Sequence, residues 1–347
     1  MSQLQTPPAD RFELFHNPAC AICGASVPTE TIGIVRDHEY DDTTSLEFPV
    51  VECPVCGLVY LNPRPDVSML GRIYTERYYS YHLAQMTPEG KAVASSWIQR
   101  LFDRINLARF RDRLFPFLPE RNRSRPLRIL DVGCGVGHQL DILVKLFPSA
   151  ETFGVEIGAM AAKKAASRGH KVSVGRFEDV AFTEKDFDII VTVHVIEHVA
   201  EPVSFLAKCR DLLADDGVIL VETPNTDCLD FKLLRRRHWG GYHAPRHWYL
   251  FNPPSLAALA RRTGLSIRGG KPYNMSVFWN WSCHSILQDL AGAKVAGLLF
   301  PPVRIYFGGL QSFVILGAFS VLERLLQLVT GKASSIWMVF SKEARAD

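Results

Sequence analysis

The chain has 347 residues, 47% of them hydrophobic and 22% charged, enough to bury a sizeable core in one large domain with a small one or in two medium domains. A net charge of +3 is too mild to argue by itself for nucleic acid, and the opening MSQLQTPPAD lacks the basic stretch and apolar run of a secretory signal. Eight cysteines, four of them in two Cys-x-x-Cys pairs, point to a metal site and free thiols in a reducing cytoplasm, not to disulfides.

Residues 1–85 are expected to form short strands and turns around Cys20, Cys23, Cys53 and Cys56. The two pairs have 29 residues between them, and each is followed by a glycine, Gly24 or Gly57. Two such knuckles make a closed tetrahedral four-thiolate zinc site with no open position for catalysis. Zinc ribbons also bind nucleic acid, which keeps an RNA partner as an alternative. Over 86–126 the chain reads as a basic helical linker. Trp97, Leu101, Ile105, Ala108 and Phe110 recur at helical spacing within 93–118, and RNRSRP then breaks the pattern. Nine Lys/Arg against three acids between Arg100 and Arg128 suit a nucleic acid or an anionic membrane surface equally.

From Leu127 strand and helix alternate. Strands are expected at 127–132, 152–156, 171–174, 187–193 and 217–222, with helices near 137–147, 158–168 and 201–214. That order predicts an α/β fold with a parallel, doubly wound sheet. A helix at 254–263 stops at Gly264, and 265–273 and 334–342 read as two further strands. Between those two strands, 275–332 is an apolar helical insertion, with no charge in the 18 residues from Ile305 to Leu322. That length is borderline for a membrane span. The strand that follows must rejoin the sheet, so a single crossing would leave it on the wrong side of a bilayer. The insertion is therefore either a hairpin lying in the membrane interface or a lid over the acceptor pocket. Pro301-Pro302 and Gly308-Gly309 divide it into helices.

The stretch RILDVGCGVGHQLD, 128–141, runs a strand into an acid and three alternating glycines. A dinucleotide loop needs Gly-x-Gly-x-x-Gly, and here His138 or Leu140 stands where the third glycine belongs. A P-loop needs Gly-Lys-Ser/Thr, which is absent. What remains, Asp131-x-Gly133-x-Gly135-x-Gly137, resembles the first motif of the class I S-adenosylmethionine-dependent methyltransferases. GVEIG, FEDV, FDIIVTVHVIEHVAEP and LVETPN follow in the order of that family, so the resemblance covers about 127–274 and the closing strand near 335. It implies a Rossmann-like sheet of seven strands with the last antiparallel, and S-adenosylmethionine as cofactor. On this resemblance Asp131, Gly133, Gly135 and Gly137 belong to the cofactor site, with Glu156 accepting from the ribose hydroxyls, Glu178 or Asp179 facing the adenine, and His194 bordering the site. CPVCGLVYLNPRP with IYTERYY is similar to the N-terminal zinc module of a subgroup that includes sugar C-methyltransferases.

Methyl transfer needs an aligned nucleophile and, for oxygen or carbon, a group to take a proton. His194-Val-Ile-Glu197-His198 is similar to the Glu-x-x-Glu-His of quinone-pathway O-methyltransferases and small-RNA 2′-O-methyltransferases, some of which bind Mg²⁺. His194 in place of the first acid weighs against that hard cation here. A second cluster lies at 239–249, WGGYHAPRHWY. His243 or His247 is expected as general base, with His198 as a third candidate. Arg246 is expected to hold an anionic group of the acceptor, flanked by Tyr242 and Trp248. The expected function is methyl transfer to an oxygen or carbon of a small acceptor, lipid-linked or a sugar derivative, by a cytoplasmic enzyme with the cytoplasmic membrane face as a second candidate location. An RNA methyltransferase and a zinc-ribbon binding protein without activity are the alternatives. The lack of an Asn/Asp-Pro-Pro-Tyr-like motif argues against transfer to a base amino group, and nucleic acid is not expected as a partner.

Overall fold

The structure, a computed structural model, describes residues 12–17, 19–26, 30–75, 77–80, 97–119, 125–307 and 309–343. Most of the RNRSRP breaker and of the linker before Trp97 lies outside the described residues, as do the side chains of Trp97 and Leu101. The N-terminal part holds β1 (Leu14–Phe15), β2 (Glu30–Arg36), β3 (Glu47–Glu52), β4 (Val59–Leu61), β5 (Arg64–Pro65) and the single helical turn α1 (Leu70–Ile73). The helix expected at 93–118 is α2 (Trp97–Leu114).

The seven-stranded α/β sheet is present. It contains β6 (Arg128–Val132), β7 (Glu151–Glu156), β8 (Lys171–Val174), β9 (Phe187–Val193) and β10 (Leu213–Pro224), then β12 (Leu265–Tyr273) and β13 (Ser335–Lys342). The order is β12-β13-β10-β9-β6-β7-β8, and β13 runs antiparallel to both neighbours, with Leu220 opposite Val339 and Ile267 opposite Phe340. The helices are α3 (His138–Leu146), α4 (Ala159–Ser167), α5 (Pro202–Leu212), α6 (Leu229–Leu234), α7 (Pro253–Arg262), α8 (Val277–Ala291), α9 (Ala293–Leu299) and α10 (Leu310–Thr330). The boundaries fall within about two residues of expectation except at two places: α2 ends at Leu114, four residues short of 118, and at β10 the chain stays extended from Leu213 through a register shift ahead of Val218.

Both faces of the sheet are covered, so its central strands are apolar throughout. On one face Ile129, Ile189, Val191 and Leu220 pack under Phe110 and Leu114 of α2 and Ile142 and Leu143 of α3. On the other, Leu130, Ile190, Ile219 and Val221 pack under Phe205 and Leu206 of α5 and Leu256 and Leu259 of α7. Proline at the start of α5 supplies a preset φ and lacks the N–H that a first turn leaves unpaired. Asn252 and Ser255 cap α7 reciprocally.

The N-terminal sheet is not closed by its own segment. Its order is β11-β4-β3-β2, and β11 (Tyr249–Leu250) comes from the chain beyond β10, with Tyr249 opposite Tyr60 and Leu250 opposite Val59. Ile22, Val50 and Leu58 share one contiguous core with Leu130 and Val221 of the large sheet. The insertion breaks where its prolines and glycines lie, between Leu299 and Leu310, and once more at Gly292.

Candidate functional site

Past β6 the backbone turns through three left-handed glycines, Gly133, Gly135 and Gly137, at φ +76°, +54° and +83°. Two of them are packed from outside. A Cβ on Gly133 would lie 2.6 Å from Val195 Cγ2, and one on Gly137 would lie 3.0 Å from Ala165 Cβ. At Gly135 a Cβ would meet nothing within 4 Å, so its bare backbone faces a cavity of about 460 Å³. Glu156 ends β7 beside that turn. Its carboxylate accepts from Gly135 N–H at 2.9 Å and from Gly158 N–H at 2.7 Å. Asp131 lies beneath the turn and does not line the cavity. It is 1% exposed, and both carboxylate oxygens lack a protein partner. Burial first, then the nearby Glu156, push its pKa well above the usual carboxylate range. A buried carboxylate without a donor beside a bare backbone turn fits a cationic ligand that approaches the main chain closely.

Glu178 lines the same cavity with Arg176 and Phe177. Asp179 does not. It points outward, 3.6 Å from Arg176. Sequence reading missed Lys208, whose ammonium donates to the carbonyls of Phe177, Glu178 and Val180 at 2.6, 3.1 and 2.7 Å and so fixes the turn from below. It also missed the roof: Tyr74, Tyr78, Tyr79 and Ser80 of the N-terminal segment line the cavity. The repeated tyrosines of IYTERYY were the available signal.

At the exit of β9, His194 takes φ +53°. Its Nδ1 lies 3.1 Å from Glu197 Oε1 and its Nε2 3.1 Å from the Tyr273 hydroxyl. Glu197 is fully buried. Burial would raise its pKa, but the His194 hydrogen bond and the adjacent histidines outweigh that and hold it below the usual value. His198 Nδ1 lies 3.0 Å from the Arg246 carbonyl and 2.9 Å from the Tyr74 hydroxyl, and His247 Nδ1 lies 2.8 Å from the Gly241 carbonyl. A carbonyl only accepts, so both rings carry the proton on Nδ1 and keep the lone pair on Nε2. Ligand atoms of Glu197, His198 and His247 lie within 4.8 Å of one another. Two oriented imidazoles and one carboxylate form a donor set suited to Zn²⁺, Fe²⁺ or Mn²⁺ more than to Mg²⁺. Burial holds His198 down to about 4 and His247 well below 6.5, so both are neutral at pH 7.

His194 and His198 of the turn after β9 line the cavity, and from the aromatic loop Trp248 joins them, whereas Tyr242, His243, Arg246 and His247 do not. Arg246 is 1% exposed and donates to Asp37 at 2.6 Å and to the Ile73 carbonyl. The anion it holds is thus a carboxylate of the N-terminal segment, not the acceptor group expected from sequence. Tyr242 donates to the Arg235 carbonyl. His243 stacks on Trp281 at 4.8 Å and shares a proton with Glu39 across 2.8 Å. Burial lifts that glutamate to about 8. Several basic side chains of the linker are also spent internally: Arg109 and Arg113 on Glu222, and Arg125 on Asp188.

The four cysteines converge at the end of the N-terminal sheet. Cys20 Sγ lies 3.6 Å from Cys56 Sγ and Cys23 Sγ 3.6 Å from Cys53 Sγ, and all four sulfurs fall within 4.8 Å. A tetrahedron with Zn–S bonds of about 2.3 Å has edges of about 3.8 Å, so the thiols fit that metal.

A seven-stranded sheet closed by an antiparallel strand, with a glycine turn and an acid at the carboxyl ends of adjacent strands, defines a nucleoside-cofactor fold of the methyltransferase type. A family model described as a methyltransferase domain matches residues 98–268. The ubiquinone biosynthesis O-methyltransferase of Cereibacter sphaeroides is 30% identical over 181 residues, covering 47% of this chain and 72% of that one. The enzyme of the same name from Mesorhizobium japonicum is 31% identical over 173 residues, covering 47% and 67%. The solved phosphoethanolamine N-methyltransferase 2 of Haemonchus contortus aligns at 16% identity over 82% of this chain and 63% of that one, with a TM-score of 0.47. The chain belongs to the class I S-adenosylmethionine-dependent methyltransferases, and it is an S-adenosylmethionine-dependent enzyme of that class.

Proposed function

We propose that the enzyme methylates an oxygen of a small lipid-linked acceptor in the cavity between the glycine turn and the tyrosine roof. The single observation that carries this reading is the convergence on one cavity of Gly135, Glu156, His194 and His198 from the sheet with Tyr74 and Tyr79 from the N-terminal segment. The names of the relatives supply the acceptor class. S-adenosylmethionine, when bound, supplies an electrophilic methyl group. Glu156 would bind its ribose, Glu178 would border its adenine, and the bare backbone at Gly135 would admit its amino-acid end. His198, with Nε2 unprotonated and at the cavity wall, takes the proton of the acceptor hydroxyl. His247 and Glu197 set its electrostatic surroundings. The four cysteines hold a structural zinc ion.

The test uses the full chain, methyl-labelled S-adenosylmethionine, and phenols with and without a polyisoprenyl tail. Label in the tailed phenol, with faster turnover than on the short one, is the expected result. Label only in a water-soluble sugar or in RNA overturns the acceptor class. One equivalent of zinc per chain, removed only together with the fold, is expected from metal analysis.

A further inference from the structure

We propose that the insertion is a docking surface for an anionic phospholipid bilayer, with α10 lying in the plane of the interface. This goes beyond the methyl-transfer reading and does not depend on it.

Helix α10 has its polarity reversed. Its inward side chains include the polar ones. Ser312 donates toward the Arg304 carbonyl, Glu323 accepts from Ser334 N–H at 3.0 Å, and Gln327 donates to the Pro272 carbonyl at 3.1 Å. Its outward side chains are mainly apolar, with Gln311, Ser320 and Arg324 among them: Leu310 is 80% exposed, Leu328 78% and Val329 86%, with Phe313, Val314 and Leu325 all above half. Only 6% of its most apolar 18-residue stretch is buried. A helix on a water-soluble surface shows the opposite arrangement. At about 100° per residue the exposed positions sweep about 200° of the circumference. A partner helix or a second copy of this chain seated flat would cover a stripe of about 100°. Fluid hydrocarbon conforms to the whole arc.

The surface continues onto the neighbouring elements through Leu290 and Leu298, 79% and 73% exposed. Its charges are of one sign. From Leu290 to Lys332 the only acid is Glu323, which is buried, while Lys294, Arg304 and Arg324 are exposed. Apolar area with a cationic rim matches an anionic lipid interface. The helix cannot cross the bilayer, because β13 begins at Ser335, four residues after α10, and pairs along β10. The start of the surface also reaches the cavity: Tyr306 stacks on Tyr79 of the roof, ring centroids 4.5 Å apart. A bilayer on this face therefore lies beside the cavity's tyrosine wall.

The test is co-sedimentation of the full chain with phosphatidylcholine vesicles, with and without phosphatidylglycerol, in the absence of acceptor. The wild type is expected in the pellet with the anionic vesicles. The Val314→Glu/Leu325→Glu/Leu328→Glu variant changes only outward positions, so it is expected to keep its melting temperature and cofactor affinity while binding vesicles about tenfold more weakly or less. The Lys294→Glu/Arg304→Glu/Arg324→Glu variant is expected to lose the preference for phosphatidylglycerol. A wild type that stays in the supernatant with both vesicle types overturns the proposal. So does a concentration-dependent dimer that the first variant abolishes without any change in vesicle binding. Because no turnover is measured, either outcome is independent of whether the methyl-transfer assay succeeds.

Discussion

The glycine turn at 133–137 and the aromatic loop at 239–249 both look like sites, and the structure uses them in opposite ways. The turn works by what it leaves out. Gly135 has open space where a side chain would stand, so the cofactor proposed for the cavity would meet backbone there. The loop works by what it fills. Gly240 has the Phe278 carbonyl oxygen 2.1 Å from where a Cβ would stand, and Trp239, Arg246 and Trp248 are almost wholly buried. The loop joins the N-terminal sheet, the 194–198 turn and α8, and only Trp248 among its predicted residues reaches the cavity wall. A cluster of reactive residue types therefore marks a functional neighbourhood without saying which members touch substrate.

Substitutions sharpen that contrast. Arg246→Ala strands Asp37 in the interior and is expected to cost about 3–5 kcal/mol, read as a lowered urea midpoint. Asp37→Ala in the same chain should recover part of it. An Arg246→Ala protein of unchanged stability but impaired acceptor binding would return the residue to the site. Gly240→Ala forces backbone against backbone and is expected to cost about 3 kcal/mol. Gly135→Ala finds room and pays only for its left-handed φ, about 1 kcal/mol, while cofactor affinity falls about tenfold. Equal melting temperatures for the two glycine variants would erase the distinction drawn between the loops.

His198→Ala and Glu197→Gln are expected to lower kcat about 100-fold or more with cofactor affinity unchanged. His243→Ala, away from the cavity, should act mainly on stability. Similar kcat losses at His198 and His243 would mean that the buried Glu39–His243 pair takes part in proton transfer. The smallest effect is that of pH. His198 is held near 4, and His243 and His247 well below 6.5, chiefly by burial. The unfolded chain takes up protons at these residues below about pH 6.5 and the folded chain does not. The stability they allow is complete above that pH and is lost as pH falls toward about 4. Glu39, lifted to about 8, acts in the opposite sense, adding stability as pH falls from 8, so the histidine contribution is read by difference. The His198→Gln variant should lose melting temperature less steeply than the wild type between pH 6.5 and about 4. Equal slopes would show that this ring is charged in the fold.

The sequence by itself determined the α/β class and the order of its strands and helices, and its resemblance to a known family supplied the seven-stranded sheet with an antiparallel closing strand. The first rests on local signals, the periodicity of strands and helices, set by neighbours in the chain. Convergence of the cysteines also followed from their spacing and the glycine after each pair. Only the tertiary structure decided that the N-terminal sheet borrows β11, that Arg246 faces Asp37, that Lys208 holds the turn at 177–180, and that tyrosines roof the cavity. Each of these joins residues far apart along the chain, and which partner a buried charge or hydroxyl finds depends on packing that no local pattern encodes. The insertion shows the same limit. Its composition left both a lid and a membrane face open, and only the direction in which Ser312, Glu323 and Gln327 point, into the protein, showed that its apolar side is turned outward.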